Sequence, residues 1–147
     1  MKILVLSDSH SKTLKAIPFD QFDAVIHCGD YGTEKETLLK KGVHFVCGNC
    51  DLFGPKYTLL ELFGKKIWIT HGDIENVKFQ YERLIYRAQE YKVDVCFFGH
   101  THQQTYFIED DILFINPGSY PSSYVIINEN SILFYHNSKV QKLMYRW

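Results

Sequence analysis

The sequence predicts an α/β sandwich in which two β-sheets pack face to face and helices cover their outer sides. Three observations predict it. Apolar runs alternate with helix-compatible segments early in the chain, a hairpin and one long amphipathic segment follow, and the tail consists of short strand-like runs between polar turns. A length of 147 residues suits one domain with one core, which we assign to residues 1–147.

The first predicted strand covers residues 2–7, an uninterrupted run of β-branched residues and leucine that ends at a polar turn. The same pattern recurs in three later runs, residues 23–27, 43–47 and 93–98. Residues 11–17 and 33–41 are short and helix-compatible, and they separate the first three runs. This alternation predicts parallel strands joined by right-handed crossovers.

The chain from residue 57 onward has a different pattern. Residues 57–62 and 66–70 flank a Phe63-Gly64-Lys65 turn and predict a β-hairpin. In residues 77–91 the apolar residues recur at helical spacing, which predicts a helix with one buried face. Four further runs predict a mainly antiparallel tail: residues 104–108, 112–116, 124–127 and 132–135.

Composition and charge exclude several classes of protein. Hydrophobic residues make up 46% of the chain and charged residues 22%, which is typical of a globular protein rather than a disordered one. The net charge of −1 and the absence of a Lys or Arg run predict no nucleic-acid partner. No apolar run approaches the ~20 residues of a membrane span, so we expect a cytoplasmic protein without a membrane partner. A homo-oligomer is compatible with this composition.

Five polar clusters each follow a strand-like apolar run. Ligands of α/β proteins bind at the carboxyl ends of the strands, so five polar strand ends at one edge predict a site. The clusters are Asp8-Ser9-His10, Gly29-Asp30, Gly48-Asn49-Cys50-Asp51, His71-Gly72-Asp73 and Gly99-His100-Thr101-His102.

The residue types in these clusters are those of a metal site. Asp8 and His10 are two residues apart, as are His100 and His102, so in extended backbone each pair points the same way and can share an ion. Mixed carboxylate, amide and imidazole donors favour manganese, iron, nickel or zinc, whereas magnesium prefers oxygen ligands. Each residue alone is more often a cap or turn residue, but the coincidence of all five clusters favours a metal site.

The remaining histidines are predicted to be structural: His27 inside a strand, and His44 and His136 without ligand-type neighbours. Cys47 and Cys96 lie in apolar runs and are predicted core residues, because a free cysteine behaves as a small hydrophobe.

A structural-zinc or redox site at Cys47-Gly48-Asn49-Cys50 is a further alternative. A zinc ribbon needs a second cysteine pair, and Asn49 between the two cysteines is better explained as a ligand.

In order and spacing, the clusters resemble the motifs of the calcineurin-like metallophosphoesterases, and among these the small YfcE-like phosphodiesterases. The pattern Asp-x-His, Gly-Asp, Gly-Asn-x-Asp, His-Gly and Gly-His-x-His spans nearly the whole chain, and Asn116-Pro117-Gly118-Ser119 resembles the family's following segment. The resemblance implies a four-layer α/β/β/α sandwich. It also implies two divalent ions as cofactors, manganese first, with nickel, iron or zinc as alternatives.

The resemblance further implies how the ligands divide. One ion would be bound by Asp8, His10 and His102, and the other by Asn49, His71 and His100, with Asp30 bridging both. Asp30, Asn49 and His71 are also expected to act directly in catalysis.

Elementary chemistry gives these ligands a function. Two divalent ions bring four positive charges and Asp8 and Asp30 remove two, which leaves about +2 to attract a phosphate ester. A water that bridges the ions is deprotonated near neutral pH and can attack phosphorus in line. We therefore expect hydrolysis of a small phosphate ester, a diester first and a monoester second.

Cys50 stands where the wider superfamily commonly has a histidine that assists the leaving group, although the YfcE-like group often has this cysteine. We therefore expect no strong general acid at this position. Asp51 is expected either to support the ligands or to act as a turn residue.

The alternative function is an interaction module. The resemblance includes a retromer subunit of the same fold that is regarded as a scaffold without catalysis. The complete ligand set of this chain favours the enzyme.

Overall fold

A computed structural model describes all 147 residues as a sandwich of two mixed β-sheets. One sheet has six strands: β1 (Lys2–Leu6), β2 (Ala24–His27), β3 (His44–Phe45), β9 (Ser123–Asn128), β10 (Ser131–His136) and β11 (Lys139–Met144). The other has five: β4 (Tyr57–Leu62), β5 (Lys65–Thr70), β6 (Val95–Phe97), β7 (Thr105–Glu109) and β8 (Ile112–Asn116). Their orders are β11-β10-β9-β1-β2-β3 and β4-β5-β6-β8-β7.

Three apolar clusters separate the layers of the sandwich. Alternate residues of β1 point to opposite faces, so Ile3 belongs to the cluster between the sheets and Leu4 to the cluster outside the six-stranded sheet. That outer cluster includes Leu38 of helix α1 (Lys35–Lys40). The third cluster lies outside the five-stranded sheet, where Leu84 of helix α2 (Glu82–Tyr91) packs. The predicted four-layer fold is therefore confirmed, and neither helix is long and apolar enough to cross a membrane.

Strand pairing follows the predicted division of the chain. β1 pairs in parallel with β2, β2 with β3, β5 with β6, and β6 with β8. The hairpin β4–β5 is antiparallel, as are the pairs that β9 forms with β1 and β10. The segments that follow β1, β2 and β3 therefore emerge at one end of the sandwich, where they meet those that follow β5 and β6.

Two helix predictions differ from the structure. Residues 11–17 form turns and loop, because the backbone N–H of Leu14 donates to the Glu34 carboxylate at 2.7 Å instead of continuing a helix. The long predicted helix begins only at Glu82, because residues 73–79 form successive turns after His71.

The strands differ from the prediction in two places. The predicted strand 43–47 pairs over only two residues. β11 has no predicted counterpart, because its mostly exposed sequence KVQKLM carries no alternating apolar pattern.

Candidate metal centre

Asp8 follows β1 and supplies a buried carboxylate to the centre. Its Oδ2 accepts hydrogen bonds from Ser7 Oγ at 2.6 Å and from the backbone N–H of His100 at 3.0 Å. Its Oδ1 is also buried but has no hydrogen-bond partner. A buried carboxylate oxygen without a donor is strongly unfavourable unless a cation compensates its charge.

Three imidazole nitrogens surround that unpaired oxygen. Asp8 Oδ1 lies 3.3 Å from Nε2 of His102, 3.8 Å from Nε2 of His71 and 3.9 Å from Nε2 of His10. The Nε2 atoms of His10 and His102 are themselves only 3.1 Å apart. Lone pairs converging on one point are what a divalent cation requires, and the donors present fit such an ion.

Asp30 follows β2 and is the second buried carboxylate of the centre. Its Oδ1 accepts the backbone N–H of Cys50 at 2.9 Å, and its Oδ2 lies 3.3 Å from His71 Nε2 and 4.0 Å from His10 Nε2. Burial alone would raise the pKa of this carboxyl, but the hydrogen bonds from His71 and Cys50 outweigh burial and hold the pKa well below its usual range. Asp30 is therefore ionised and faces histidines on both sides.

His71 follows β5 and has its ring orientation fixed by the backbone. Its Nδ1 donates to the carbonyl oxygen of Cys28 at 2.7 Å, so in the neutral ring Nε2 carries the free lone pair. Burial lowers the pKa of His71, but Asp30 and Asp8 together raise it above its ordinary value. A cation at Nε2 would replace the proton that these carboxylates favour.

Asn49 and His100 extend the centre on the side of His71. Asn49 Oδ1 lies 3.0 Å and His100 Nδ1 lies 3.3 Å from His71 Nε2. Burial and the neighbouring His71 lower the pKa of His100, which favours its neutral, ligating form. All seven sequence-predicted residues thus come together at one end of the sandwich.

The side chains form overlapping groups about the two carboxylates. Asp8, His10 and His102 form one group whose donor atoms lie within 4.8 Å of one another, and Asp8, Asp30 and His71 form another. His100 and His102, only two residues apart, point to different partners, His71 and His10 respectively. The expectation that this pair shares an ion through extended backbone does not match the geometry.

The backbone conformation of the turns that carry the seven residues explains why His100 and His102 point in different directions. Five of the seven residues have positive φ angles: Asp8 (52°), His10 (43°), Asp30 (61°), His100 (72°) and His102 (63°). Left-handed backbone is uncommon for residues other than glycine and is concentrated at functional sites. Hydrogen bonds between turns hold it, including His10 N–H to Asp30 O and Asp8 N–H to Gly29 O, each 2.9 Å.

Asp51 has a larger structural role than sequence reasoning resolved. Its buried carboxylate accepts backbone N–H groups of Asp30 at 2.7 Å, Gly48 at 2.8 Å and Tyr31 at 3.1 Å. It therefore joins the turn after β2 to the turn after β3. The sequence feature that could have indicated this role is the position of Asp51 at the end of the polar cluster Gly48-Asn49-Cys50-Asp51.

Two glycines allow the turns to approach closely. A Cβ at Gly48 would lie 2.1 Å from Asp30 Oδ1, and a Cβ at Gly99 would lie 2.1 Å from Ser7 Oγ. Any larger residue at either position would displace a carboxylate or its hydrogen-bond donor.

His27 and Asn116 support the ligand turns without joining the ligand cluster. His27 Nδ1 accepts the Gly29 N–H at 3.1 Å, so its Nε2–H donates to Ser9 Oγ at 2.9 Å. Asn116 Nδ2 donates to Gly99 O at 3.1 Å and Thr101 Oγ1 at 2.9 Å. The predicted structural role of His27 thus agrees with its contacts.

The centre is open to solvent between two grooves. His10 and His102 have side chains 41% and 49% exposed, so a substrate could reach them directly. A polar groove of about 550 Å³ runs from His102 past His136 and Lys139. A second groove, of about 380 Å³, passes Cys50 and Lys35.

Comparison with known proteins identifies the family. The calcineurin-like phosphoesterase superfamily domain matches residues 1–139. The chain belongs to this superfamily. The resemblance inferred from the five motifs is therefore confirmed, and the chain is related to hydrolases that use divalent metals.

Individual members of the superfamily show how far the likeness extends. A probable metallophosphoesterase from Mycoplasma pneumoniae is 36% identical over 124 residues, covering 80% of this chain and 78% of its own. A phosphodiesterase from Methanocaldococcus jannaschii is 27% identical over 146 residues, covering 80% and 83%.

Solved structures of the calcineurin-like phosphoesterase fold superpose over almost the whole chain. An uncharacterized Streptococcus pneumoniae protein, a predicted phosphoesterase, has a TM-score of 0.81 and 28% identity, with coverage of 98% and 97%. Vps29 from Entamoeba histolytica, complexed with Zn²⁺, has a TM-score of 0.76 and 22% identity, with coverage of 99% and 98%. At 22% identity, the similarity to Vps29 shows a shared fold only.

Proposed function

We propose that the chain is a phosphodiesterase whose seven clustered ligands hold two divalent ions. The observation that carries the proposal is Asp8 Oδ1, a buried and unpaired carboxylate oxygen within 4 Å of three imidazole Nε2 atoms. When bound, the ions would supply positive charge for the phosphoryl oxygens and activate the attacking water near neutral pH. Manganese is the proposed ion, with nickel, iron or zinc as alternatives.

Different residues of the chain would bind the two ions. Asp8, His10 and His102 would hold one ion and Asn49, His71 and His100 the other. Asp30 would bridge the two, since its Oδ2 lies between His71 and His10. The hydrogen bond from His71 Nδ1 to Cys28 O keeps Nε2 directed into the centre, which preorganises that ligand.

The absence of basic side chains from the centre is compatible with a diester substrate. The ion pairs at the centre involve only histidines and the carboxylates of Asp8 and Asp30, and no lysine or arginine takes part. The metal charge would therefore be the main attraction for the substrate. A diester, with one negative charge, needs less compensation than a dianionic monoester. The phosphodiesterase from Methanocaldococcus jannaschii, 27% identical, adds support from a relative.

Metal content and turnover measured together test the proposal. Apo protein would be reconstituted with Mn²⁺, and bound metal would be measured alongside hydrolysis of bis(p-nitrophenyl) phosphate. We expect two ions per chain and activity in the wild type, with both reduced in His102→Ala. His44→Ala is the matched control, because His44 is outside the cluster. Metal content that stays far below one ion per chain would refute the proposal.

The interaction module is the alternative outcome of the same experiment. Two bound ions without hydrolysis of any diester, monoester or nucleotide would favour it over the enzyme. The shared fold of Vps29 alone does not distinguish the two functions.

A further inference from the structure

Cys50 is the one cysteine of this chain that is exposed, and it lies at the edge of the metal centre. Its backbone N–H donates to Asp30 Oδ1 at 2.9 Å, which fixes its Cα beside the carboxylate proposed to bridge the ions. Cys28, Cys47 and Cys96 are buried. Cys50 is not among the seven residues proposed to hold the two ions.

The thiol of Cys50 lies close to two other potential ligand atoms. Its Sγ, a ring nitrogen of His10 and a carboxylate oxygen of Asp30 all lie within 4.8 Å of one another. Bond lengths of about 2.3 Å to sulfur and about 2.1 Å to nitrogen allow two donors of one zinc ion to lie up to ~4.4 Å apart. A small rotation of the exposed side chain would bring all three donors onto one ion.

A second observation favours a cation site beside the same histidine. His10 Nε2 lies 3.9 Å from Asp8 Oδ1, the buried oxygen that has no donor of its own. The nearby lysine of the groove, Lys35, has its Nζ 4.4 Å from the centre of the Phe53 ring and forms no ion pair with Asp8 or Asp30. No lysine or arginine therefore pairs with the carboxylates around His10.

We propose that Cys50 Sγ is a ligand of the ion held by His10 and Asp30. This inference rests on the proposed metal centre. Binding breaks the S–H bond, releases the proton to solvent and forms a metal–sulfur bond, because a coordinating thiol is deprotonated outright. Thiolate ligands favour thiophilic divalent ions, so this centre prefers zinc, cobalt or cadmium to magnesium.

Spectroscopy of Co²⁺ binding tests the ligand directly. Apo protein would be titrated with Co²⁺, and the near-ultraviolet sulfur-to-cobalt charge-transfer band would be followed together with bound metal. The wild type should develop the band as one of its two ions binds. Cys50→Ser should bind cobalt without the band, and its zinc affinity should fall about 10-fold or more. Its manganese affinity should change much less.

Cys47→Ser is the matched control. Cys47 is buried and its Sγ donates to backbone carbonyls of Gly48 and Asp51, a bond that a hydroxyl can replace. This variant should keep the band, and circular dichroism should show both variants folded.

The result separates this inference from the proposed function. Two bound ions without the band, or a band that survives in Cys50→Ser, would overturn Cys50 ligation and leave the dinuclear centre standing. Failure to bind any ion would overturn both.

Discussion

The carboxylate of Asp51 accepts the backbone N–H of Asp30 in a hydrogen bond of 2.7 Å, and so connects two ligand turns that lie on different strands. Oδ2 of Asp51, the oxygen that makes this bond, also accepts the N–H of Gly48 at 2.8 Å, next to the proposed ligand Asn49. The position of the proposed bridging carboxylate thus depends on a residue that contacts no ion itself.

We expect Asp51→Ala to weaken both folding and metal binding. Hydrogen bonds to a charged group contribute about 1.5–3 kcal/mol each, so losing those from Asp30 and Gly48 alone should lower the free energy of unfolding by at least about 3 kcal/mol. Metal affinity should fall about 10- to 100-fold, as for other residues that orient ligands. Chemical denaturation and metal titration measure the two effects.

Asp51→Asn and Asp20→Ala are the comparisons for that variant. Asn keeps one acceptor oxygen but replaces the other with an NH₂ group, so its effect should be intermediate. Asp20 is exposed in the short 3-10 helix Phe19–Gln21, and its substitution should change neither quantity. Wild-type metal affinity in Asp51→Ala would contradict the positioning role.

Asp30→Asn and Asn49→Ala should each reduce phosphodiesterase turnover by orders of magnitude while the fold remains intact. The first removes the charge that faces His71 and His10, and the second removes an oxygen 3.0 Å from His71 Nε2. Cys47→Ser should retain most of the activity. Turnover on bis(p-nitrophenyl) phosphate at saturating Mn²⁺, with circular dichroism, measures these effects. Equal losses in all three variants would contradict the ligand assignment.

The stability of the apo protein should decrease in acid because of His27. Burial, followed by the charge of His71, lowers the pKa of His27 from 6.5 to about 3. Below pH 6.5 the unfolded chain binds a proton that the folded protein excludes until about pH 3. The contribution is therefore complete above pH 6.5 and is lost as pH falls, by up to about 1.4 kcal/mol per pH unit.

In His27→Gln the free energy of unfolding, measured by urea denaturation, should fall less steeply between pH 7 and pH 5 than in the wild type. Val25→Ala is the control, because it also removes buried atoms from β2 but carries no titrating group. It should lower stability and retain the wild-type slope. An unchanged slope in His27→Gln would show that His27 is not the residue responsible.

The rate of hydrolysis should depend strongly on the leaving group. Cys50 occupies the position of a commonly occurring histidine. A free thiol is a poorer match than imidazole for proton donation near neutral pH, and a metal-bound thiolate has no proton to donate. Activated aryl diesters should therefore react much faster than alkyl diesters, and Cys50→Ala should lose far less activity than Asp30→Asn. The measurement is a plot of log kcat/KM against leaving-group pKa.

Cys50→His provides the informative comparison. Its plot should be flatter if the new imidazole reaches the departing oxygen. A nearly flat wild-type plot that steepens in Cys50→Ala would instead show that Cys50 assists the leaving group, provided that chemistry limits the rate.

The sequence determined most of the sheet architecture. Buried strands such as β1 are continuous apolar runs, and their pattern does not depend on which strand they pair with. The edge strand β11 was missed because it is mostly exposed and carries two lysines, as edge strands often do. Residues 11–17 are short and helix-compatible between two strand-like runs, but a contact with Glu34, 20 residues away from Leu14, decides their conformation.

The sequence also determined which residue types gather at the candidate centre, because polar clusters at the ends of parallel strands must converge. Only the tertiary structure decided how they face one another. The left-handed backbone at His100 and His102 turns neighbouring rings toward different partners, and it persists only because hydrogen bonds from other strands hold the turns. The unpaired Asp8 Oδ1 and the bonds from Asp30 and Tyr31 N–H to Asp51 likewise result from contacts between distant segments, which local sequence patterns do not encode.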